Sequence, residues 1–396
     1  MNHLINILIS FLLLSLCLAL SRAAISISIV LSIVLIIYLF IRRKVNVVNE
    51  IKKIDKIFLI SYILFFILLS ITSFLLMDFK GFTKVIKFMY YSLPFWLLYI
   101  LANIRFAEKS IKNILIVSMI LVGIFSLYDF FSLPIGKRIS GIYPGPNWAA
   151  VLLGLNIPFV IMFTVDIIKD GSIINKFISV FASCVSLFSL LCTGSRGGII
   201  GFVVGTLFTI VCYNVYIVSR VKNFKYIFIV IIVMLFSFAG IFANSNNGIT
   251  RTYDMERIYL LKASYNMWLE HKITGVGLEN WAEYYKNDDT IPDGVNKELN
   301  FPHNMIAYFF STSGIIGGTG FLIFSIGTII SLLKNLKNQP NNIFLIAMIW
   351  AYINFQVHGM VDAGLLMKDG ERLLFTWLGI TYSSIVYYRN RTKYNN

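Results

Sequence analysis

The sequence predicts an all-α integral membrane protein of about twelve transmembrane helices, with one long external loop carrying an amphipathic helix. Three observations lead there. Apolar runs of about 18 to 22 residues recur from end to end, long enough to cross a hydrocarbon core roughly 30 Å thick. Of the 396 residues, 58% are hydrophobic and 13% charged, too few polar groups to cover a water-soluble body. Lys and Arg fall in clusters that return after every second run. Lipid offers backbone groups no hydrogen bonds, and the short alternating pattern of outer-membrane strands is missing, so helices are expected.

Taken in order, the spans are expected at 4–21, 23–41, 57–77, 84–102, 112–131, 147–166, 176–193, 197–218, 224–243, 315–333, 342–362 and 371–388. The tight turn at Ser21-Arg22 makes the first two a helical hairpin. No Lys or Arg precedes the first segment and a second apolar run follows at once, so no cleaved signal peptide is expected. Basic clusters follow span two (Arg42, Arg43, Lys44), four (Arg105, Lys109), six (Lys169), eight (Arg220, Lys222), ten (Lys334, Lys337) and twelve (Arg389, Arg391). Such an excess marks the cytoplasmic side. Both termini are then cytoplasmic, and 244–314 faces outward from the cytoplasmic membrane. The net charge of +15 thus records topology and a lipid-bilayer partner, not nucleic acid. The whole chain, 1–396, reads as one polytopic domain. Cys17, Cys184, Cys192 and Cys212 all lie in apolar spans and read as small buried hydrophobes.

The long loop is organised. From Met255 to Leu269, Ile258, Leu261, Tyr265 and Trp268 recur at helical spacing, which fits a helix on the membrane or across the mouth of the bundle. It stops near Thr274-Gly275-Val276-Gly277, and the polar stretch 286–300 reads as mobile. From His303 to Leu333 one helix would be roughly 46 Å long at 1.5 Å per residue. A short external helix is therefore expected from Pro302, then a break around Ser313-Gly314, then span ten.

Ionisable residues on the outward side are the candidates for chemistry. Arg196 heads a span in Thr193-Gly194-Ser195-Arg196-Gly197-Gly198, where free N–H groups, small neighbours and a guanidinium fork suit an anion. A turn with a snorkelling anchor is the alternative. Arg257 lies on the amphipathic helix with Arg251 just before it, and a solvated helix face is the plainer account. His303, in Pro302-His303-Asn304, is either a structural imidazole or a base. His358 and Asp362, one helical turn apart, share a face near the outer end of span eleven. Asp288-Asp289 sits in a flexible polar run and reads as solvated. A base and two or more cations on one side of a membrane are what glycosyl transfer from a diphosphate-linked donor requires. No metal or other cofactor is expected.

Three blocks then give a family resemblance. They are Gly194-Ser195-Arg196-Gly197-Gly198, then Arg257 with Trp268 and His271-Lys272-Ile273-Thr274-Gly275-Val276-Gly277-Leu278-Glu279-Asn280-Trp281, then Pro302-His303-Asn304 with Gly314, Gly317 and Gly318. In this order they resemble the O-antigen ligase and polymerase family, and Pro144-Gly145-Pro146-Asn147-Trp148 resembles its Asn-bearing turn. The resemblance implies a class C glycosyltransferase-like, metal-independent enzyme using a glycan on undecaprenyl diphosphate. His303 matches the family's essential histidine, proposed as the base, and Arg196 and Arg257 its diphosphate-handling arginines. Arg251, Asn304, His358 and Asp362 would support them, Asp362 matching a carboxylate found late in some members. A glycan acceptor and other polysaccharide-assembly proteins are the implied partners. Polymerase is the preferred expectation, ligase or protein O-oligosaccharyltransferase the alternative. A flippase or transporter for lipid-linked oligosaccharide is the alternative of another class, but spans six to ten carry almost no charge along a central path.

Overall fold

A computed structural model describes residues 2–134, 136–217, 252–292, 295–362 and 364–395, and every regular element among them is helical. The first half holds α1 (Asn2–Cys17), α2 (Arg22–Ile41), the short α3 (Val47–Ile51), α4 (Lys56–Leu75), α5 (Phe79–Tyr91), α6 (Leu93–Ile104), α7 (Glu108–Ser132), α8 (Pro146–Asp170), α9 (Ile173–Cys192) and α10 (Arg196–Ile217). After the expected ninth span, which lies outside the described residues, come α11 (Thr252–Glu270), α12 (Trp281–Lys286), α13 (Met305–Asn338), α14 (Ile343–His358) and α15 (Lys368–Asn395). Eight segments among the described residues are long and apolar enough to cross a membrane, with shorter apolar helices at α1 and α14. The protein is an all-α, multi-pass membrane protein.

Local chemistry sets the departures from expectation. The fourth span is divided into α5 and α6 at Ser92, because Pro94 has no N–H with which to continue the helix ladder. Ser92 Oγ bonds the Met89 carbonyl instead, and Tyr62 Oη lies 2.6 Å from it. Span eleven ends at His358 rather than at 362, so Asp362 lies in a turn whose N–H bonds the His358 carbonyl. His358 and Asp362 therefore do not share a helical face. Of the cysteines only Cys17 is buried, and Cys184 is exposed on the bundle surface.

Helix α14 runs through the centre, and its residues from Ile343 to Tyr352 are all buried. It is held between α8 and α10 by small residues that let backbones approach. A Cβ on Gly201 would lie 2.5 Å from Asn354 Oδ1 and 2.8 Å from its carbonyl oxygen, and one on Gly205 would lie 2.8 Å from the Trp350 carbonyl. Across the helix, Gly154 of α8 faces the same Asn354 side chain. Deeper in the core, Trp377 Nε1 donates to Asn156 Oδ1 at 2.9 Å, giving an α8 polar group the partner that lipid cannot supply. Ion pairs gather the basic helix ends at one end of the bundle: Lys112 with Glu108 and Asp166, and Lys334 with Asp55.

At the other end a second chain segment is woven into α13. The helix breaks at Gly314 (φ 59°, ψ −159°), a conformation open to glycine and strained for residues bearing a Cβ. The segment after α11 takes up the hydrogen bonds lost there. Val276 and Gly277 N–H donate to the Ser311 and Thr312 carbonyls at 2.9 Å, and Ile315 N–H donates to the Lys272 carbonyl at 2.8 Å. A Cβ on Gly275 would meet the backbone of Thr312 and Ser313. The break near Ser313-Gly314 was expected; the strap of residues 272–277 that satisfies it was not. Gly201→Val should cost about 1–3 kcal/mol of stability by overpacking α10 on α14. Thermal unfolding of the detergent-solubilised variant would read it as a lower midpoint.

Candidate functional site

The interlock at Gly314 fixes α11 beside the start of α13. The buried face of α11 consists of Leu260, Ala263 and Met267, which form a small separate core with Val276, Trp281, Tyr285 and Ile291. Trp281 Nε1 donates to Ser264 Oγ at 3.0 Å and its ring stacks on Tyr285. Burial pushes the Tyr285 phenol pKa up, with Glu256 and Asp288 adding to the shift. The stripe seen in the sequence is a different face: Ile258, Leu261 and Tyr265 are exposed. The stretch expected to be mobile contributes Val295 and Leu299 to the same small core.

His303 precedes α13, and its backbone is in the left-handed region (φ 51°). A residue with a side chain pays for that conformation in strain, so the surroundings must impose it. Asn304 caps α13 by accepting from Ala307 N–H at 2.9 Å, and its Nδ2 donates to the Met360 carbonyl at 2.8 Å. Met305 N–H donates to the Gly359 carbonyl at 2.8 Å. The Pro302-His303-Asn304 turn is thus pinned to the turn that follows α14. As a result His303 Nδ1 lies 3.2 Å from Asp362 Oδ1, the imidazole 25% exposed and the carboxylate 2%. An ionised carboxylate only accepts hydrogen bonds, so with Asp362 ionised the donor in this contact is His303 Nδ1.

Arg196 begins α10, with Ser195 as its cap: Ser195 Oγ accepts from Gly198 N–H at 3.3 Å. The two following glycines serve close helix packing, and Gly197 also lines the cavity beside Arg196. A Cβ on Gly197 would run into Val361 and lie 3.0 Å from His358 Cδ2, and one on Gly198 would meet Ala150 and His358. They are small so that α10 can close on α14. The buried His358 sits in this seam, its Nε2 3.5 Å from Ser195 Oγ. Gly194 (φ 58°) makes the turn, and Arg138 lies under it, donating from Nε to the Thr193 carbonyl at 2.8 Å and from its guanidinium to Asn147 Oδ1.

These elements enclose one cavity of about 310 Å³ at the end of the bundle opposite the gathered basic helix ends. Arg196, Arg257, His303, His358 and Asp362 all line it. Asn304 stands behind His303 as a brace, and Arg251 lies outside the described residues. Asn147 of the Asn-bearing turn and Ser195 of the first motif block also line the cavity, as do Arg138, Glu256 and Asn296, to which sequence reasoning gave no role. A signal for Arg138 was present: Lys137-Arg138 interrupts the rule that basic residues collect on the other side. Three guanidinium groups and a histidine-carboxylate pair line one cavity, a charge pattern that suits a dense anion.

Fold and site together define a polytopic helical membrane protein with a cationic, histidine-bearing pocket at one end. Residues 181–322 match the family described as O-antigen ligase. The match runs from α9 past the break in α13, taking in Arg196, Arg257 and His303 but not Arg138, His358 or Asp362. It supports membrane glycosyl transfer in polysaccharide biosynthesis as the activity. No curated protein matches the chain. The strain at His303 has its own test. His303→Ala and His303→Gly both lose the imidazole, but only alanine keeps a Cβ in the left-handed region. The glycine variant should be the more stable by about 1 kcal/mol, seen as a higher thermal midpoint.

Proposed function

We propose that the protein transfers a glycan from undecaprenyl diphosphate to a sugar hydroxyl on the outer face of the cytoplasmic membrane, with both termini cytoplasmic. The observation that carries this reading is the His303–Asp362 contact facing Arg196, Arg257 and Arg138 in one cavity. In the proposed reaction the acceptor oxygen attacks the anomeric carbon as its proton passes to His303 Nε2. Asp362 holds the ring in the required tautomer and stabilises the imidazolium that forms. The bond from the anomeric carbon to the diphosphate oxygen breaks, its electron pair leaves with the diphosphate, and the arginines balance the charge that builds there. One displacement opposite the leaving group inverts the anomeric configuration.

Polymerisation is the preferred form, the acceptor being a second repeat unit on the same carrier, since this needs no dedicated acceptor site. Ligation is the second reading, favoured by the description of the matched family. Incubating purified protein with one defined undecaprenyl-diphosphate repeat unit tests both. A ladder of longer lipid-linked products is expected; product that forms only when a different acceptor is added would assign a ligase. No transfer under either condition would refute the reading.

Two variant sets probe the roles. His303→Ala should lower turnover by about 10²–10⁴-fold while the protein still elutes as a folded species; normal product length in that variant would remove His303 as the base. Arg196→Lys and Arg138→Lys should each lower turnover about 10²-fold, since lysine keeps the charge and loses the two-pronged geometry. Wild-type rates in both would reduce these arginines to turn anchors.

A further inference from the structure

The residues that line the cavity at His303 come from two parts of the chain, and the two differ in character. The bundle contributes Arg138, Ser195, Arg196, His358 and Asp362, and the carboxylate among them is taken up by His303. The segment between α10 and α13 contributes Glu256, Arg257, Leu260, Asn296 and Leu299. Leu260 and Leu299 belong to the small core under α11, so packing backs this second wall.

Glu256 is out of place in a pocket that collects arginines. A carboxylate repels the anion that such a pocket suits, so it weakens diphosphate binding. It does not serve the fold either. Among the described residues Glu256 makes no hydrogen bond or ion pair, whereas the neighbouring carboxylates Glu279 and Glu298 pair with Lys84 at 3.1 Å and Lys286 at 2.9 Å. It lies close enough to Tyr285 to help push that phenol's pKa up, yet the buried Tyr285 Oη has no hydrogen-bond partner among the same residues. A structural carboxylate would accept that bond. Asn296 complements Glu256 chemically. Its Oδ1 accepts from Glu298 N–H at 3.0 Å, which leaves the Nδ2 donors uncommitted. A carboxylate that accepts, an amide that donates and two leucines on one wall match a sugar ring, whose hydroxyls do both and whose C–H face is apolar.

His303 decides which sugar this is. Its Nδ1 is turned to Asp362, so Nε2, across the ring, points away from that carboxylate. The hydroxyl that gives up its proton there approaches from the side Asp362 does not occupy. We propose that Glu256 and Asn296 hold the acceptor sugar beside His303 and select it, an inference that rests on the glycosyl-transfer reading of the cavity. Glu256 accepts hydrogen bonds from ring hydroxyls next to the attacking one, Asn296 donates to another, and Leu260 and Leu299 cover the apolar face of the ring. The charge of Glu256 also works by exclusion. A uronic acid at this position would be repelled, whereas a neutral or amino sugar is admitted. The repulsion that Glu256 imposes on the diphosphate is then the cost of choosing the acceptor.

The test separates acceptor from donor. The donor is one undecaprenyl-diphosphate repeat unit at fixed concentration. The varied acceptor is the same repeat unit joined to a prenyl chain through a carbon link, so that it can accept a glycan and cannot donate one. Glu256→Gln should raise the acceptor KM about tenfold, the loss falling on KM rather than kcat. The same variant should bind inorganic pyrophosphate about two- to threefold more tightly, since one negative charge has gone, which also reports that it is folded. Glu256→Asp keeps the charge and shortens the reach, so its acceptor KM should rise while its pyrophosphate affinity stays. Among monodeoxy acceptors one should lose about tenfold with the unaltered protein and nothing further with Glu256→Gln, the non-additivity that a direct contact gives. An unchanged acceptor KM in Glu256→Gln, a rise confined to the donor KM, or additive losses with every deoxy acceptor would overturn the proposal and leave transfer at His303 standing. No transfer by the unaltered protein to this or any other acceptor would overturn both.

Discussion

The site depends on the exchange of backbone hydrogen bonds at Gly314. A helix broken within the membrane-facing part of a protein leaves N–H and carbonyl groups that lipid cannot satisfy. Here the strap of residues 272–277 satisfies them, and only glycine at 275 and 314 lets the two backbones come so close. That exchange locks the end of α11 to α13. Both helices are rigid, so their far ends are positioned as well, which sets Arg257 on the same cavity as His303. Two further closures complete the frame. Asn304 and Met305 tie the start of α13 to the turn after α14, and Gly197 and Gly198 let α10 close on that same helix. Each closure brings one of the three elements bearing charged groups to the cavity.

Within that frame the charges offset one another. Asp362 is almost fully buried, a costly state for a carboxylate unless hydrogen bonds and nearby positive charge compensate it. His303 supplies the hydrogen bond, and the cavity's arginines supply positive charge. Arg138 is itself held by the Thr193 carbonyl and Asn147, so its orientation is set by the fold rather than by a ligand. On the proposed reading this preorganisation has a direct use. Donors already aimed at the departing diphosphate need not reorganise when charge develops, which is where fixed dipoles and cations outperform water.

Much of this was legible in the sequence, for identifiable reasons. Span positions follow from run length, and the break at Gly314 follows because one helix from His303 to Leu333 exceeds the bilayer. Arg196, Arg257 and His303 stood out because charge is rare in this chain. What could not be read were relations between distant segments. Gly197 and Gly198 looked like room for an anion, yet their small size also serves packing against His358 and Val361. Gly275 and Gly277 looked like a helix stop, yet they are the strap. The pairing of His303 with Asp362 depends on α14 ending at His358, which no periodicity marks. Arg138 was overlooked although Lys137-Arg138 departs from the charge rule, because its partners Thr193 and Asn147 are distant from it in the sequence or lie in another element.

The amphipathic stripe on α11 shows most clearly how a correct period can still mislead. Ile258, Leu261 and Tyr265 recur as a buried face should, but the face that packs on protein is the one bearing Leu260, Ala263 and Met267. A helix apolar on two faces has to satisfy both. One is covered by Trp281 and Tyr285, and the other is exposed among the described residues, beside a cavity lined by arginines. This asymmetry constrains approach to His303. The flank toward Tyr265 and Phe310 is apolar, whereas Ser195 lies on the polar cavity wall beside Arg196. Glu256 and Asn296 add polar side chains to the wall of the same cavity. On the proposed reading the two substrates then enter from different media, the donor along the membrane and the acceptor hydroxyl from water, and they meet only at the imidazole.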